Sequence, residues 1–258
     1  MKTHIIPFLR CLSIEQSKYK RTYAFTLSVL APAFLAAVVF LIYFFKAEQI
    51  VGEGMNGWRH MINYSLQFST SLLFPLFIIL LVVFIHNIDH KIGGQRLTRL
   101  LPIPHLASYL SKVMVAFSFL ILSMLLFTLF INAGAYMNSL KYPALFQFER
   151  SIIAELMVRT GYIALCSIFM FAIQYWISQR FSNIIVPVGV GFAGFISAII
   201  LMQGWEYIDF HPYALFMLVM SNSTEPEITR QLITYSLTGS MVIFFLAYLD
   251  LKHRKYYM

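Results

Sequence analysis

Residues His86–Lys112, HNIDHKIGGQRLTRLLPIPHLASYLSK, combine charge, a Gly-Gly break, a leucine pair and a Pro-x-Pro step between two strongly apolar runs. The flanks decide the fold. Phe68–Ile85 before it and Val113–Ile131 after it are each close to the ~20 residues that carry a helix across a ~30 Å hydrocarbon core. The polar stretch is therefore a loop between two membrane spans. Working outward, the same block length recurs at Tyr23–Phe45, Thr160–Ile177, Ile184–Met202 and Leu232–Leu249. The blocks are apolar on every face and do not alternate, so helices rather than barrel strands satisfy their backbone in lipid. With 59% hydrophobic and 12% charged residues and a mean hydropathy of +0.73, the chain lies far from the roughly 25% charged of a soluble domain. The expected fold is an all-α integral membrane protein, a single transmembrane domain of six helices over residues 1–258.

Lys18, Lys20 and Arg21 followed by an apolar start and Ala31-Pro32-Ala33 resemble an export signal. The apolar run continues to Phe45 and a proline sits at the would-be cut, so the block reads as an uncleaved anchor. Lysines and arginines set the orientation. The N-terminal tail, the His86–Lys112 loop, the turn at Arg180 and the C-terminal tail (Lys252, Arg254, Lys255) form the richer set. Both termini and the loop are expected in the cytoplasm, with the chain in the inner (cytoplasmic) membrane. The net charge of +8 is accordingly an orientation signal. No basic patch interleaved with exposed aromatics marks a nucleic-acid partner.

Ile5–Tyr19 mixes Phe8, Leu9, Leu12 and Ile14 with Arg10, Glu15 and Lys18, the pattern of an amphipathic helix lying in the membrane plane. Before the last span, Tyr213–Met220 is apolar but too short to cross, which reads as an interfacial or re-entrant extracellular helix. Cys11 and Cys166 are too few and too far apart in topology for a disulfide framework.

The search for chemistry mostly excludes. There is no G-x-x-x-x-G-K-[ST] phosphate loop. Gly189-x-Gly191-x-x-Gly194 matches the letters of a dinucleotide fingerprint, which needs a preceding strand and an acid roughly 20 residues on. Here the glycines lie inside an apolar span after Pro187, where small residues let a neighbouring helix approach and proline kinks the span. His86 and His90 stand at i, i+4 with Asp89 between them, but the position of a metalloprotease glutamate holds Asn87 and no third ligand is evident. A half-wet helix end accounts for them, and no metal is expected. Glu155 and Arg159 are i, i+4 partners at the outer end of the fourth span. They read equally as an intramembrane functional pair and as interfacial charges.

Two stretches carry a family resemblance. Lys18-Tyr-Lys-Arg-Thr-Tyr-Ala-Phe-Thr-Leu-Ser-Val-Leu-Ala-Pro32 runs basic residues into an apolar span with Leu-Ala-Pro. In the loop, Gly93-Gly94 and then Leu100-Leu101-Pro102-Ile103-Pro104 precede Tyr109-Leu-Ser-Lys112. With the order of parts, these resemble the membrane subunit of type-2 ABC exporters, in the branch of lantibiotic or bacteriocin protection permeases. The chain departs from that pattern where an acidic pair is reduced to Asp89 with His90, and where the basic residue after the proline appears as Pro104-His105.

The resemblance implies a permease without its own motor. A separate ATPase subunit, in two copies, would bind ATP and Mg and push on a coupling helix in the loop, and a second permease would complete a homodimer or heterodimer. The expected contact set is Asp89, His90, Gly93, Gly94, Arg96, Leu97, Arg99, Leu100, Leu101, Pro102, Pro104 and His105. The residues themselves agree. Gly93-Gly94 ends a helix, Pro102 and Pro104 stop the next one, and Leu97, Leu100 and Leu101 form an apolar face at i, i+3, i+4. A basic loop resting on anionic headgroups is the alternative for that segment. The cargo the resemblance implies is an amphipathic peptide, such as a bacteriocin or antibiotic, or a lipid-like compound. A non-transporting membrane scaffold or sensor subunit is the alternative for the whole chain.

Overall fold

The computed structural model describes residues 2–19, 22–52, 54–91, 104–222 and 225–253, with side chains in the first segment from Phe8 onward. Among these residues there are helices and no strands. Helix α1 is Lys2–Tyr19 and α2 is Tyr23–Ile50. Helix α3, Gly57–Phe68, passes through a π-helical segment, Ser69–Leu73, into α4, Phe74–Lys91. Then follow α5, His105–Lys141, α6, Arg150–Arg180, and α7, Ile185–Leu201. A 3-10 turn at Ile208–Phe210, the short α8 at Leu215–Ser221 and α9 at Pro226–His253 complete the chain.

Five helical rods are long and apolar enough to cross a membrane: Tyr23–Ile50, Gly57–Lys91, His105–Lys141, Arg150–Arg180 and Pro226–His253. The expected fifth span forms α7, whose 17 residues give about 25 Å at 1.5 Å per residue, short of a full hydrocarbon core. The other rods overrun the apolar blocks because polar turns at both ends find partners and keep the helix going. Phe34, Leu125, Leu129, Met241 and Phe245 point outward from the bundle, where lipid rather than water stabilises them.

Two prolines show how the bundle tolerates missing backbone donors. Pro32 lies inside α2, and having no N–H it cannot bond the carbonyl of Ser28, four residues back. The Ser123 hydroxyl of α5 donates to that carbonyl at 2.7 Å, filling the gap from a neighbouring helix. Ser123→Ala is expected to destabilise the protein by about 1 kcal/mol, the scale of an interhelical hydrogen bond in a bilayer. Thermal unfolding of purified protein checks this against Ser118→Ala, whose hydroxyl bonds only its own helix. Equal midpoints would rule the role out. Pro75 follows the π-helical segment, whose wider turn relieves the clash of a proline ring with the carbonyl four residues back. Within that segment the Thr70 and Ser71 hydroxyls donate to the Leu66 and Gln67 carbonyls at 2.9 and 2.6 Å.

The bundle has two chemically distinct ends. At one, Gly57 N–H donates to Leu145 O at 2.8 Å, Asn56 caps α3 by accepting from Trp58 N–H, and Lys141 donates to Phe44 O at 2.6 Å while sitting 3.9 Å from the Phe44 ring centroid. Gly57 is required there, because an added Cβ would stand 2.9 Å from the Phe146 ring. The Leu215–Ser221 segment tucks into the bundle, with Leu215, Phe216 and Val219 buried and the Phe216 ring edge-on to Phe74 at 5.7 Å. The opposite end gathers α1, the last turns of α4, α6 and α9, and the first turns of α5. It is the end from which the polar loop departs.

Candidate functional site

The loop's central residues, Gly93, Gly94, Arg96, Leu97, Arg99, Leu100, Leu101 and Pro102, lie outside the described residues. Its two stalks are described. Asp89 sits in the last turn of α4, 1% exposed, and bonds the Lys112 ammonium of α5. Lys18 of α1 stands 3.6 Å from the other Asp89 oxygen and bonds Glu15 at 2.7 Å. One carboxylate therefore ties three helices together at the base of the loop. Burial disfavours the Lys18 ammonium, but the attraction of Asp89 and the bond to Glu15 outweigh it and raise its pKa above the ordinary lysine value. Lys18 stays charged at neutral pH. Beside this cluster the His90 Nε2–H donates to the Ser178 carbonyl of α6 at 2.9 Å, so the imidazole serves as a helix-to-helix tie. Pro104 precedes α5 as its cap residue, and His105 begins that helix, exposed.

Sequence reading singles out Asp89 and His90 without pairing them, whereas the structure gives Asp89 the partners Lys112 and Lys18 and gives His90 the Ser178 carbonyl. The available signal was a lone acid among basic residues at the end of a span, a position where burial demands a counter-charge. A second tie at the same end joins Arg180 to Asp250, whose other oxygen accepts from Trp176 Nε1–H at 3.3 Å.

Next to the Asp89 cluster, α4, α5, α6 and α9 enclose a cavity of about 90 Å³. Lys112, Lys252 and His105 line it together with Ser108, Tyr109, Tyr175, Gln179 and Tyr248, and among the described residues no carboxylate does. The Tyr109 hydroxyl donates to Phe244 O at 2.9 Å, and Gln179 Nε2 donates to Ala247 O at 3.1 Å. His86, fully buried, packs edge-on against Tyr175 with centroids 4.4 Å apart, while both its ring nitrogens and the Tyr175 hydroxyl have no hydrogen-bond partner.

At the other end, Glu155 and Arg159 pair at 3.3 Å, and Arg59 joins Glu155 at 2.8 Å. Arg159 also bonds the Asn63 side chain. The pair lies inside α6, which begins at Arg150 rather than at Thr160, because these partners on α3 let the helix continue past its apolar block.

The small-residue segment forms helix, not strand and turn. Pro187 is the third residue of α7. The sequence expectation was a kink, but in the first turn a missing N–H removes no helical bond, so the proline starts the helix instead. A Cβ on Gly191 would lie 2.8 Å from Ile79 and 3.0 Å from Gln174, and one on Gly194 2.7 Å from the Tyr213 ring. Gly189 faces open space, with nothing within 4 Å of an added Cβ. Gly239 of α9 marks another close approach, since an added Cβ there would lie 2.6 Å from the Phe169 ring.

Several long apolar helices with polar ties at both ends define a multi-pass membrane protein. The chain belongs to the ABC-2 family of transporter proteins, whose family model matches residues 11–198. It is thus a permease component of an ABC transporter, a transport element rather than a catalyst. No curated protein and no solved structure matches it.

Proposed function

We propose that this chain is an exporter permease of six spans, with both termini and the His86–Lys112 loop in the cytoplasm, α1 in the membrane plane and Leu215–Ser221 as a re-entrant segment. A coupling helix between Gly93 and Pro102 receives the stroke of a separate ATPase present in two copies, which binds the ATP and Mg. A second permease, identical or different, completes the pathway. The observation that carries this reading is the clamp at the loop's base. Asp89 ties α4 to α5 and α1, so force applied to the loop reaches three helices at once. The family match over residues 11–198 supports it.

The expected cargo is an amphipathic peptide or lipid-like compound, which would make the chain a bacteriocin-immunity or antibiotic-resistance element. This rests on the likeness of Lys18–Pro32 and Gly93–Lys112 to protection permeases. Leu97→Ala combined with Leu100→Ala should abolish co-purification of the ATPase while membrane insertion is retained, because the apolar face of the short helix is its anchor. Undiminished co-purification would sink the coupling-helix assignment. The wild-type complex, reconstituted in vesicles, should release a membrane-bound amphipathic peptide only with ATP. Release without ATP, or none with it, would count against the cargo class.

A further inference from the structure

The cavity at the loop end shares Lys112 with the clamp, where its ammonium bonds Asp89, adds the Lys252 ammonium, and is lined for an anion. Lys112, Lys252 and His105 face it, no carboxylate lines it among the described residues, and α5 begins at its rim with the positive end of a 37-residue helix. Deeper in, the His86 imidazole and the Tyr175 hydroxyl are buried at 1% and 0% exposure with no partner for either ring nitrogen or the hydroxyl. Buried donors left open in this way mark a place where a ligand's acceptors fit. About 90 Å³ accommodates several water-sized groups, enough for a tetrahedral oxyanion, since one water needs about 10–15 Å³ by the same measure.

The surroundings identify the source of that oxyanion. Along α9, Met241, Phe245, Tyr248 and Lys252 follow one another at i, i+4, i+7 and i+11, on one helical face. Met241 and Phe245 are exposed, while Tyr248 and Lys252 line the cavity. On α5, the exposed Leu106, Leu110 and Met114 flank the cavity-lining Tyr109 and Lys112. The cationic mouth therefore runs directly into apolar surface on both walls, as a bound phospholipid requires and a free phosphate does not. Basic pockets between membrane helices are suited to anionic headgroups.

We propose that the cleft between α5, α6 and α9 holds the phosphate of an anionic phospholipid, with Lys252, His105 and Lys112 around the charge and its acyl chains along Phe245 and Met241. The buried His86 and Tyr175 donate to the phosphate oxygens or to the water that accompanies them. The test uses purified full-length chain, delipidated and titrated with phosphatidylglycerol or with phosphatidylcholine of the same chains, bound lipid being counted by native mass spectrometry. Phosphatidylglycerol should be retained preferentially, and Lys252→Gln with His105→Gln should weaken that retention about tenfold, the effect of removing the Lys252 charge together with the imidazole beside it at a membrane surface. Both substitutions are at exposed positions, so folding is spared. Tyr175→Phe, which deletes the unpartnered hydroxyl, should weaken retention of phosphatidylglycerol while leaving phosphatidylcholine unaffected. Equal retention of the two lipids, or variants indistinguishable from wild type, would overturn the site. Saturable binding of inorganic phosphate that displaces phosphatidylglycerol would assign the pocket to a free oxyanion and overturn the lipid as its source.

Discussion

Asp89→Asn is expected to be among the most damaging single changes to this protein. The substitution preserves volume and removes one charge, so its effect isolates electrostatics from packing. In the wild type a carboxylate that is 1% exposed faces two ammonium groups, Lys112 in direct contact and Lys18 at 3.6 Å. Without it, Lys112 loses its counter-ion while its side chain stays 14% exposed. Breaking a buried pair from one side costs about 3–5 kcal/mol, and the partial exposure of both lysines puts this case near the low end. Lys18 keeps Glu15 at 2.7 Å, so the greater part of the loss falls on the α4–α5 contact beneath the loop. The unfolding midpoint should drop by at least about 5 °C, and ATP-driven transport should fall further, because a loosened stalk transmits less of any displacement of the loop. Asp89→Asn with Lys112→Met should recover part of the stability, since removing both charges leaves none buried alone. A single variant as stable as wild type, or a double variant worse than the single, would show that the carboxylate does not hold the two helices.

The Asp89 cluster also marks where sequence reading stops. The membrane blocks were legible because lipid admits few alternatives to an apolar helix of fixed length, and that constraint acts residue by residue along the chain. The His86–Lys112 interruption was legible for the same reason, with α4 ending at Lys91 and α5 beginning at His105. Helix ends were not. Asn56, Arg59 and Asn63 extend the second rod outward only because Gln147, Glu155 and Arg159 bond them across more than 90 positions of sequence. Likewise Pro32 announced a missing donor, but nothing local named Ser123 as its replacement, 95 residues away. The lysine partners of Asp89 and the open donors of His86 and Tyr175 depend on which faces of four helices meet. Periodicity cannot say that when the helices are apolar all round.

Gly191→Val should displace α7 from the bundle, whereas Gly189→Ala, two residues away on the same helix, should leave it in place. At Gly191 even the first added carbon would stand 2.8 and 2.9 Å from two atoms of Ile79 and 3.0 Å from Gln174 Nε2. Ile79 is buried and β-branched, so it has little freedom to turn away. Gln174 is held as well, donating to Pro187 O at 2.6 Å and accepting from the Tyr213 hydroxyl at 3.1 Å. Valine at Gly191 must therefore either push α7 away from α4 or break a buried amide network that also anchors the segment leading into α8. Overpacking of this kind costs about 1–3 kcal/mol, and leaving the Gln174 groups unpaired adds a further penalty of about 1–3 kcal/mol. At Gly189 nothing lies within 4 Å of the added carbon, so alanine contributes only its better helix propensity, up to about 1 kcal/mol of stabilisation. Thermal unfolding of the two purified variants should move in opposite directions from wild type. If Gly191→Val matched Gly189→Ala, the close approach of α7 to α4 would be wrong, and with it the role of the glycine spacing in packing that span.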